Sequence, residues 1–198
     1  MENTIKQINK PFEMFKTWYN PILNSEKENS NAFVLSTANN EGRVSSRVVL
    51  LKDFDINAFI FYTNYKSRKG MQLAENPFAS MLFYWPEYRR QIKIEGSIKK
   101  VSEAESDKYF DTRINGHKIN ALVSEQSKPI ESMVRYRLKM NRAEEDYRAS
   151  SPKRPDYWGG YVLTPNRYEF WEEGASRFHK RIEYLRENNQ WVSRQLQP

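Results

Sequence analysis

The 198-residue chain contains no cysteine and only two histidines, His117 and His179. The absence of cysteine excludes disulfides, a thiolate nucleophile and cysteine-based metal sites. Two histidines also argue against a histidine-rich metal site, so we expect no metal. Neither histidine lies in a nucleophile-elbow context, which disfavours a serine triad.

The chain also lacks any apolar run of membrane-spanning length, and its mean hydropathy is −0.88. Met1 is followed by polar residues instead of a basic segment and an apolar core, so we expect no signal peptide. The net charge of +7 permits nucleic acid, a membrane surface or a phosphorylated small molecule as partner. The basic residues form no long block, so nucleic acid is possible but not indicated, and we expect neither nucleic acid nor membrane as partner. Without a signal peptide or a membrane-spanning run, we expect a cytoplasmic protein.

What the chain does contain is alternating apolar sequence, which predicts strands separated by turn and cap residues. The expected strands cover 31–38, 43–52, 58–63, 78–85, 89–101, 158–163, 168–171, 177–181 and 191–196. Helices are expected over 11–21, 67–76, 102–113, 118–124 and 130–149. Tight turns at 39–42 and 53–57 favour a meander of the first three strands. Asn115 and Gly116 are expected to break the helical region.

These elements predict an α+β, mostly β fold, with roughly six to eight antiparallel strands in a barrel or sandwich and helices at its periphery. Gly96 marks an expected bulge in the fifth strand. At this length we expect one domain over 1–198, with 1–10 flexible.

The segment RFHKR (177–181) places cationic or titratable side chains at alternating positions. If it forms a strand, Arg177, His179 and Arg181 share one face. Like charges so close repel one another, so this face needs either solvent or an anion. Taken alone, the segment is most simply a solvated edge strand. The nearby Trp171 adds a ring, and a ring beside a cationic row suits a flat, anionic ligand.

Two other basic segments are candidate anion sites. A helix start at Ser67 followed by Arg68 and Lys69 offers backbone N–H groups and two cations to a phosphate, although it lacks a P-loop pattern. Arg47 and Lys52 are five residues apart, so a regular strand places them on opposite faces. They can grip one group only if the strand bulges or the ligand wraps around its end. Two charged ends of a core strand are an equally good interpretation.

Seven segments, taken in order, resemble the pyridoxine/pyridoxamine 5′-phosphate oxidase family. They are RVVLLK (47–52), FYTNYKSRKG (61–70), RRQIKIEG (89–96), KYFDTR (108–113), SEQS (124–127), WGGY (158–161) and EFW…RFHKR (169–181). Their order and spacing fit from about residue 11 to the C-terminus. The resemblance implies an antiparallel, FMN-binding split β-barrel that forms a homodimer, with the active site at the subunit interface.

The resemblance also implies a reaction. FMN accepts a hydride from C4′ of pyridoxine or pyridoxamine 5′-phosphate, and O2 reoxidises the flavin and becomes H2O2. The product is pyridoxal 5′-phosphate, as in vitamin B6 salvage; the amine substrate also releases ammonia. Because the cofactor carries the redox step, the protein must supply position and charge more than a nucleophile.

Matching positions carry residue roles over from the family. The expected FMN contacts are Arg47, Val48, Val49, Leu50, Leu51, Lys52, Tyr62, Thr63, Arg68, Lys69, Gln91, Gln126 and Ser127, with Trp171 and Arg181 from the partner subunit. The expected substrate contacts are Lys52, Tyr109, Arg113, His117, Arg177, Phe178 and His179. Within that set, Lys52, Tyr109 and Arg113 are the expected phosphate clamp. Arg177 and His179, over the substrate ring, are the expected catalytic residues.

Departures from the family pattern concern the substrate. The family usually has Ser where His117 stands and Pro where Ile114 stands, although His117 can still donate to a phosphate, more strongly when protonated. The family's basic, substrate-covering segment is represented only by 1–10, and its C-terminal Arg-Leu-x-Pro appears as QLQP (195–198). These departures leave open an FMN oxidase with another substrate, such as a dihydrophenazine precursor. A non-catalytic flavin-binding module also stays open, as does a basic nucleic-acid binder, which the net charge of +7 permits.

Overall fold

A computed structural model describes residues 10–25 and 28–198, which form nine strands and five α-helices. The strands are β1 (Ala32–Ala38), β2 (Val44–Leu50), β3 (Asp53–Asp55), β4 (Ala58–Asn64), β5 (Phe78–Trp85), β6 (Arg90–Lys100), β7 (Trp158–Glu172), β8 (Lys180–Glu187) and β9 (Gln190–Leu196). The helices are α1 (Lys10–Leu23), α2 (Arg68–Glu75), α3 (Glu103–Asp111), α4 (Asn115–Val123) and α5 (Met133–Asp146). The expected flexibility of 1–10 falls, except for Lys10, outside the described residues.

The strands form one curled antiparallel sheet in the order β2-β1-β5-β6-β7-β4-β3, with β8 beside β7 and β9 beside β8. The organising strand is β7, which pairs with β6 on one side. On its other side it pairs with β4 through its first half and with β8 through its second half. The expected bulge lies between Glu95 and Gly96, where a Cβ on Gly96 would be 2.1 Å from the Thr164 carbonyl oxygen. The predicted antiparallel, mostly β fold is therefore confirmed.

An aromatic core lies between α1 and the sheet. Phe15, Trp18 and Tyr19 of α1 are buried, as their helical spacing predicts. The Phe15 ring centroid is 4.9 Å from that of Tyr19 and 5.0 Å from that of Phe59 on β4. Burying a phenylalanine of this kind contributes about 1.5–3 kcal/mol. Pro21 lies in the last turn of α1, which ends two residues later.

Helix capping also follows the sequence. The Ser67 side chain accepts the N–H of Gly70 and begins α2. Ser102 and Glu105 form the predicted capping box of α3. No helix within 10–25 and 28–198 is long and apolar enough to cross a membrane.

The predicted meander of the first three strands is wrong. Asp53–Asp55 is a short strand instead of a turn, and β4 pairs with β3 and β7, not with β2. After Leu50 the chain leaves the β1–β2 hairpin and crosses to the other end of the sheet. The N–H of Lys52 already bonds the carbonyl of Ile60. The position of β4 in the sheet therefore depends on its pairing with β7, which lies far along the chain.

Two predicted helix boundaries are also wrong. The helical region does break, but at 112–114, and Asn115 and Gly116 form the first turn of α4 instead. The last helix is shorter than 130–149: the Ser132 side chain accepts the N–H of Arg135, and the helix runs from there as Met133–Asp146. Local capping by Ser132 thus outweighs the preceding proline as the start of the helix.

The predicted strand over 177–181 is wrong in its first half. Ala175–Arg177 is a 3-10 turn in which Ser176 and Arg177 have φ values of 53° and 64°. Strand β8 begins only at Lys180. Arg177, His179 and Arg181 therefore do not follow one face of a strand.

Candidate functional site

A cavity of about 950 Å³ lies beside the end of β2. This size is at the upper end of small-molecule sites, which enclose about 300–1,000 Å³. The cavity gathers these sequence-predicted residues: Arg47, Val48, Val49, Leu50, Lys52, Tyr62, Thr63, Arg68, Lys69, Tyr109, Arg113, His117, Gln126 and Ser127. No aspartate or glutamate of the described chain lines it. Its lining is therefore basic, with hydroxyl, amide and aromatic groups between the charges.

Arg47 enters the cavity from β2, and groups on both β1 and β2 hold its guanidinium. Its Nη1 donates to Thr37 Oγ1 at 2.7 Å and to the Leu35 carbonyl at 3.2 Å, and its Nη2 donates to Ser45 Oγ. Burial and the nearby charge of Arg68 both lower the pKa of Arg47. A cation that is desolvated beside another cation favours an anion in the adjacent space.

Lys52 lines the same cavity as Arg47, although five residues separate them. Strand β2 ends at Leu50, so the alternation that would place the two side chains on opposite faces stops before Lys52. The strand end thus brings the two cations to one cavity.

The first turn of α2 supplies a buried lysine. Lys69 is 8% exposed, and its Nζ donates to Thr63 Oγ1 at 3.1 Å, Ser67 Oγ at 3.3 Å and Gln126 Oε1 at 3.2 Å. Burial, and secondly the charge of Arg47, lower the pKa of Lys69 to about 8. All of its described partners are neutral, so no protein group compensates the charge of Lys69. This charge favours the binding of an anion in the cavity.

The loop after α4 closes this end of the cavity. Ser127 Oγ accepts the backbone N–H of Arg68 at 3.2 Å, and Ser127 itself has a positive φ of 75°. With Gln126 bonded to Lys69, the loop is attached to α2 at two points. The short polar pair that carries little meaning in the sequence therefore belongs to the cationic cluster.

The opposite part of the cavity is aromatic. The Tyr62 and Tyr109 rings stack with centroids 3.9 Å apart, and the Tyr109 and Trp158 rings are nearly parallel at 6.2 Å. The guanidinium of Arg113 lies 4.5 Å from the Trp158 ring centroid. Its buried Nη1 has no hydrogen-bond partner among the described residues. A buried, unpaired guanidinium N–H beside an open cavity is suited to bind an anionic oxygen.

Several predicted residues do not line this cavity within a single chain. They are Leu51, Gln91, Trp171, Arg177, Phe178, His179 and Arg181. Leu51 is a core side chain with 3% exposure. The others belong to β6–β8 or to the turn before β8, and Phe178 is exposed.

The residues around β8 form a group of their own. Arg181 donates to Glu169 through Nε at 3.0 Å and Nη2 at 2.7 Å. The His179 ring centroid is 4.8 Å from that of Trp171, and its Nδ1 accepts the backbone N–H of Gly174 at 3.3 Å. This group is pre-formed, although it lies away from the cavity of its own chain.

Sequence reasoning did not single out Trp158 or Glu169. Trp158 appeared only within the WGGY segment, and its contact with Arg113 depends on α3 packing against β7. Glu169 is 3% exposed, and its Arg181 contact follows from the pairing of β7 with β8. Both contacts depend on tertiary pairing, which the local pattern does not reveal.

Comparison with known proteins gives two family matches. Residues 22–146 match the family described as pyridoxamine 5′-phosphate oxidase. Residues 158–198 match the pyridoxine 5′-phosphate oxidase C-terminal dimerisation region. A pyridoxine/pyridoxamine 5′-phosphate oxidase of Legionella pneumophila (strain Lens) is 42% identical over 190 residues, covering 96% of this chain and 88% of that protein. One of Nostoc punctiforme is 44% identical over 189 residues, covering 95% and 88%.

Solved structures are similar as well. PhzG from Burkholderia lata 383, in complex with tetrahydrophenazine-1-carboxylic acid, has a TM-score of 0.89 and 33% identity over 95% of this chain and 92% of that chain. A pyridoxamine 5′-phosphate oxidase-related, FMN-binding protein from Nostoc punctiforme PCC 73102 has a TM-score of 0.73 and 17% identity, covering 95% and 97%. The second likeness concerns the fold alone.

Proposed function

The chain belongs to the pyridoxamine 5′-phosphate oxidase family, and on that premise we propose that it oxidises pyridoxamine or pyridoxine 5′-phosphate to pyridoxal 5′-phosphate. Its cofactor is FMN. When bound, FMN takes a hydride from C4′ of the substrate and passes the electrons to O2, giving H2O2. Water then hydrolyses the imine formed from the amine substrate and releases ammonia.

The observation that carries this proposal is the charge of the cavity. It presents a cationic cluster in which Lys69 is buried, and a separate arginine on an aromatic support, without a lining carboxylate in the described chain. The cations are Arg47, Lys52, Arg68, Lys69 and Arg113. The reaction requires two phosphate groups in one site, one on FMN and one on the substrate. A basic cavity with two groups of donors fits both.

The cofactor residues in this proposal are those of the β2–α2 end. Arg47, Arg68 and Lys69 supply charge to the FMN phosphate, and Gln126 and Ser127 supply polar contacts to the phosphate and ribityl groups. The backbone of 48–50, with Tyr62 and Thr63, would hold the flavin ring. The uncompensated charge of Lys69 supports this assignment, because a bound phosphate supplies the anion that its neutral partners lack.

The substrate residues are those of the aromatic end. We assign Arg113, with Lys52 and Tyr109, to the substrate phosphate, and Trp158 to holding the Arg113 guanidinium in place. His117 lies at the same end and is exposed, so it can add a donor when protonated. These contacts hold the substrate by its phosphate and leave its ring free to face the flavin.

The remaining assigned residues support a homodimer with a shared site. The dimerisation match covers 158–198, which includes the β8 group that does not line the cavity of its own chain. We propose that Trp171 and Arg181 contact the partner's FMN and that Arg177 and His179 face the substrate ring. Because His179 Nδ1 accepts a backbone N–H, its neutral form carries the proton on Nε2 and can donate from there.

The test is oxygen uptake by the purified, FMN-loaded chain with pyridoxamine 5′-phosphate, together with direct detection of pyridoxal 5′-phosphate. We expect substrate-dependent bleaching of the flavin absorbance without oxygen and stoichiometric product with it. FMN binding without any pyridoxal 5′-phosphate formation would contradict the proposal. Absence of flavin bands even after FMN is added would contradict the cofactor assignment as well.

A second candidate is an FMN oxidase that acts on a dihydrophenazine precursor. It is favoured by the likeness to PhzG, whose structure holds a tetrahydrophenazine carboxylic acid, and by His117 at the aromatic end. Such a substrate carries a carboxylate instead of a phosphate. If the first candidate is right, inorganic phosphate should compete strongly with pyridoxamine 5′-phosphate. If the chain turns over a dihydrophenazine carboxylate in preference to pyridoxamine 5′-phosphate, the second candidate is favoured.

A further inference from the structure

Gln72 lies on α2 three residues after Lys69, and its side chain is buried. Its Oε1 accepts Thr37 Oγ1 at 2.6 Å and Ser45 Oγ at 2.8 Å. Its Nε2 donates to the Arg43 carbonyl at 3.2 Å. One side-chain amide of α2 therefore binds both sides of the β1–β2 hairpin, although Gln72 does not itself line the described cavity.

The two hydroxyl groups that Gln72 holds are the ones that hold Arg47. Arg47 Nη1 donates to Thr37 Oγ1, and Nη2 donates to Ser45 Oγ. A hydroxyl has one proton, and here both protons point at Gln72 Oε1, so the oxygen lone pairs face the guanidinium. Without Gln72 Oε1 as acceptor, the hydroxyl of Thr37 or Ser45 can turn its proton toward Arg47. The hydroxyl O–H and the guanidinium N–H, both donors, would then face each other.

We propose that Gln72 is a positioning residue for the anion-binding end of the cavity. It orients Thr37 and Ser45, which in turn fix the guanidinium of Arg47 relative to Lys69. Because Gln72 and Lys69 belong to the same helix, this relay sets the distance between the charged groups of Arg47 on β2 and Lys69 on α2. A neutral amide achieves this without cancelling positive charge, as a carboxylate at position 72 would do. The inference rests on the proposed FMN site and adds to it a residue outside the cavity.

The test compares FMN with riboflavin, which lacks the phosphate. The fluorescence of FMN and of riboflavin changes when each binds to the protein, so both dissociation constants can be measured without turnover. In Gln72→Met we expect the affinity for FMN to fall about tenfold, the usual effect of a lost buried acceptor, with riboflavin affinity unchanged. A folded Gln72→Met protein with an unchanged FMN-to-riboflavin ratio would overturn the proposal.

A second background separates the relay from a general effect on packing. In Thr37→Val/Ser45→Ala the two hydroxyls are already gone, so adding Gln72→Met should change the ratio by less than about twofold. A further tenfold loss would show that Gln72 acts by another route and would overturn the relay. Gln190→Met, which makes the same exchange at an exposed position of β9, is the control and should leave the ratio unchanged.

Two more measurements keep the outcomes distinct. If Gln72→Met does not fold, as judged by circular dichroism, Ser45→Ala alone must lower the ratio, and an unchanged ratio there overturns the relay. If the wild-type protein binds FMN no more tightly than riboflavin, the proposed phosphate site itself is contradicted. If the wild-type protein prefers FMN and Gln72→Met has the same FMN-to-riboflavin affinity ratio, only the role of Gln72 is contradicted.

Discussion

The guanidinium carbon of Arg113 lies 4.5 Å from the ring centroid of Trp158, and its Nη1 is buried without a hydrogen-bond partner in the described chain. Burial lowers the pKa of Arg113, which remains charged at neutral pH because the ordinary arginine pKa is so high. The ring thus supports a desolvated cation whose free N–H points at no protein group. Such an arginine is prepared to bind an anion before the anion arrives.

Replacing this arginine should affect the substrate and not the cofactor. In Arg113→Met we expect KM for pyridoxamine 5′-phosphate to rise roughly 10- to 100-fold, as for a lost charge-assisted hydrogen bond, with FMN affinity unchanged. Steady-state kinetics and flavin titration measure the two quantities. Arg137→Met on the exposed side of α5 is the charge-matched control and should alter neither. An equal loss of FMN affinity in Arg113→Met would assign this arginine to the cofactor instead.

FMN affinity should fall as the pH rises above about 8. The pKa of Lys69 in the ligand-free chain is lowered to about 8 by burial and by Arg47, so above that pH the lysine must take up a proton to bind the phosphate. The loss is at most about tenfold per pH unit. Titrations between pH 7 and 9 should show it for FMN and not for riboflavin. Lys69→Met should bind FMN weakly at every pH in this range.

The same lysine links pH to stability. Its folded pKa lies below the unfolded value of 10.5, so the unfolded chain binds more protons between pH 8 and 10.5. The free energy of unfolding of the FMN-free protein should therefore contain a contribution that rises with pH in this window. Denaturant unfolding at several pH values measures it, with Lys69→Met as the control that lacks it. A contribution that falls with pH would contradict the assignment.

A shared active site predicts complementation between subunits. Arg47→Ala and Arg181→Ala should each bind FMN weakly as homodimers. When equal amounts are unfolded together and refolded, half of the dimers are mixed, and each mixed dimer has one intact site, so about a quarter of the wild-type sites return. FMN titration of the mixture measures this. No recovery in mixed dimers would place Arg47 and Arg181 at the same subunit's site.

Arg177→Ala should behave differently from Arg181→Ala. We expect it to keep FMN affinity and to lose turnover, because Arg177 is assigned to the substrate ring. Arg181 is assigned to the flavin and is held by Glu169 through two hydrogen bonds. Comparing flavin titration with kcat for the two variants checks the division. Equal FMN affinity in Arg181→Ala and the wild type would contradict it.

The core contains a hydroxyl group that can be removed without loss. Tyr168 is fully buried, and its hydroxyl has no hydrogen-bond partner in the described chain. Tyr168→Phe should therefore keep or raise the free energy of unfolding, by about 1 kcal/mol. Tyr136→Phe, which loses a 2.8 Å hydrogen bond to Asn120, should lower it slightly. Denaturant unfolding compares the two, and a clear loss in Tyr168→Phe would indicate that its hydroxyl is paired, for example by water.

Local chemistry was enough to predict the elements that contain it. Ser67 and Ser102 cap helices where the sequence places them, because a cap depends only on the next three residues. Ile92 and Ile94 alternate with polar neighbours, and this pattern already assigns the faces of β6. Most residues of the candidate cavity were found in another way, because they lie in segments that resemble the pyridoxine/pyridoxamine 5′-phosphate oxidase family.

What the sequence did not reveal was pairing between distant segments. The position of β4 beside β7 joins residues about 100 positions apart, and the burial of Glu169 depends on sheet pairing. The contact of Trp158 with Arg113 joins β7 to the segment after α3, 45 positions earlier. The error at Arg177 had a different cause. Its alternating charges look like a strand, whereas the backbone takes a 3-10 turn with a positive φ there.

The pairing of β4 with β7 also sets the order of events during synthesis. Tyr62 and Thr63 stand opposite Gly160 and Gly159, so this wall of the cavity cannot form before residues 158–163 are available to pair. Contacts this distant in sequence form slowly, because a long loop must close first. We therefore expect FMN to bind late in folding, after β7 has paired with β4. A riboflavin-starved cell should accumulate a folded, empty chain and not a ribosome-bound intermediate.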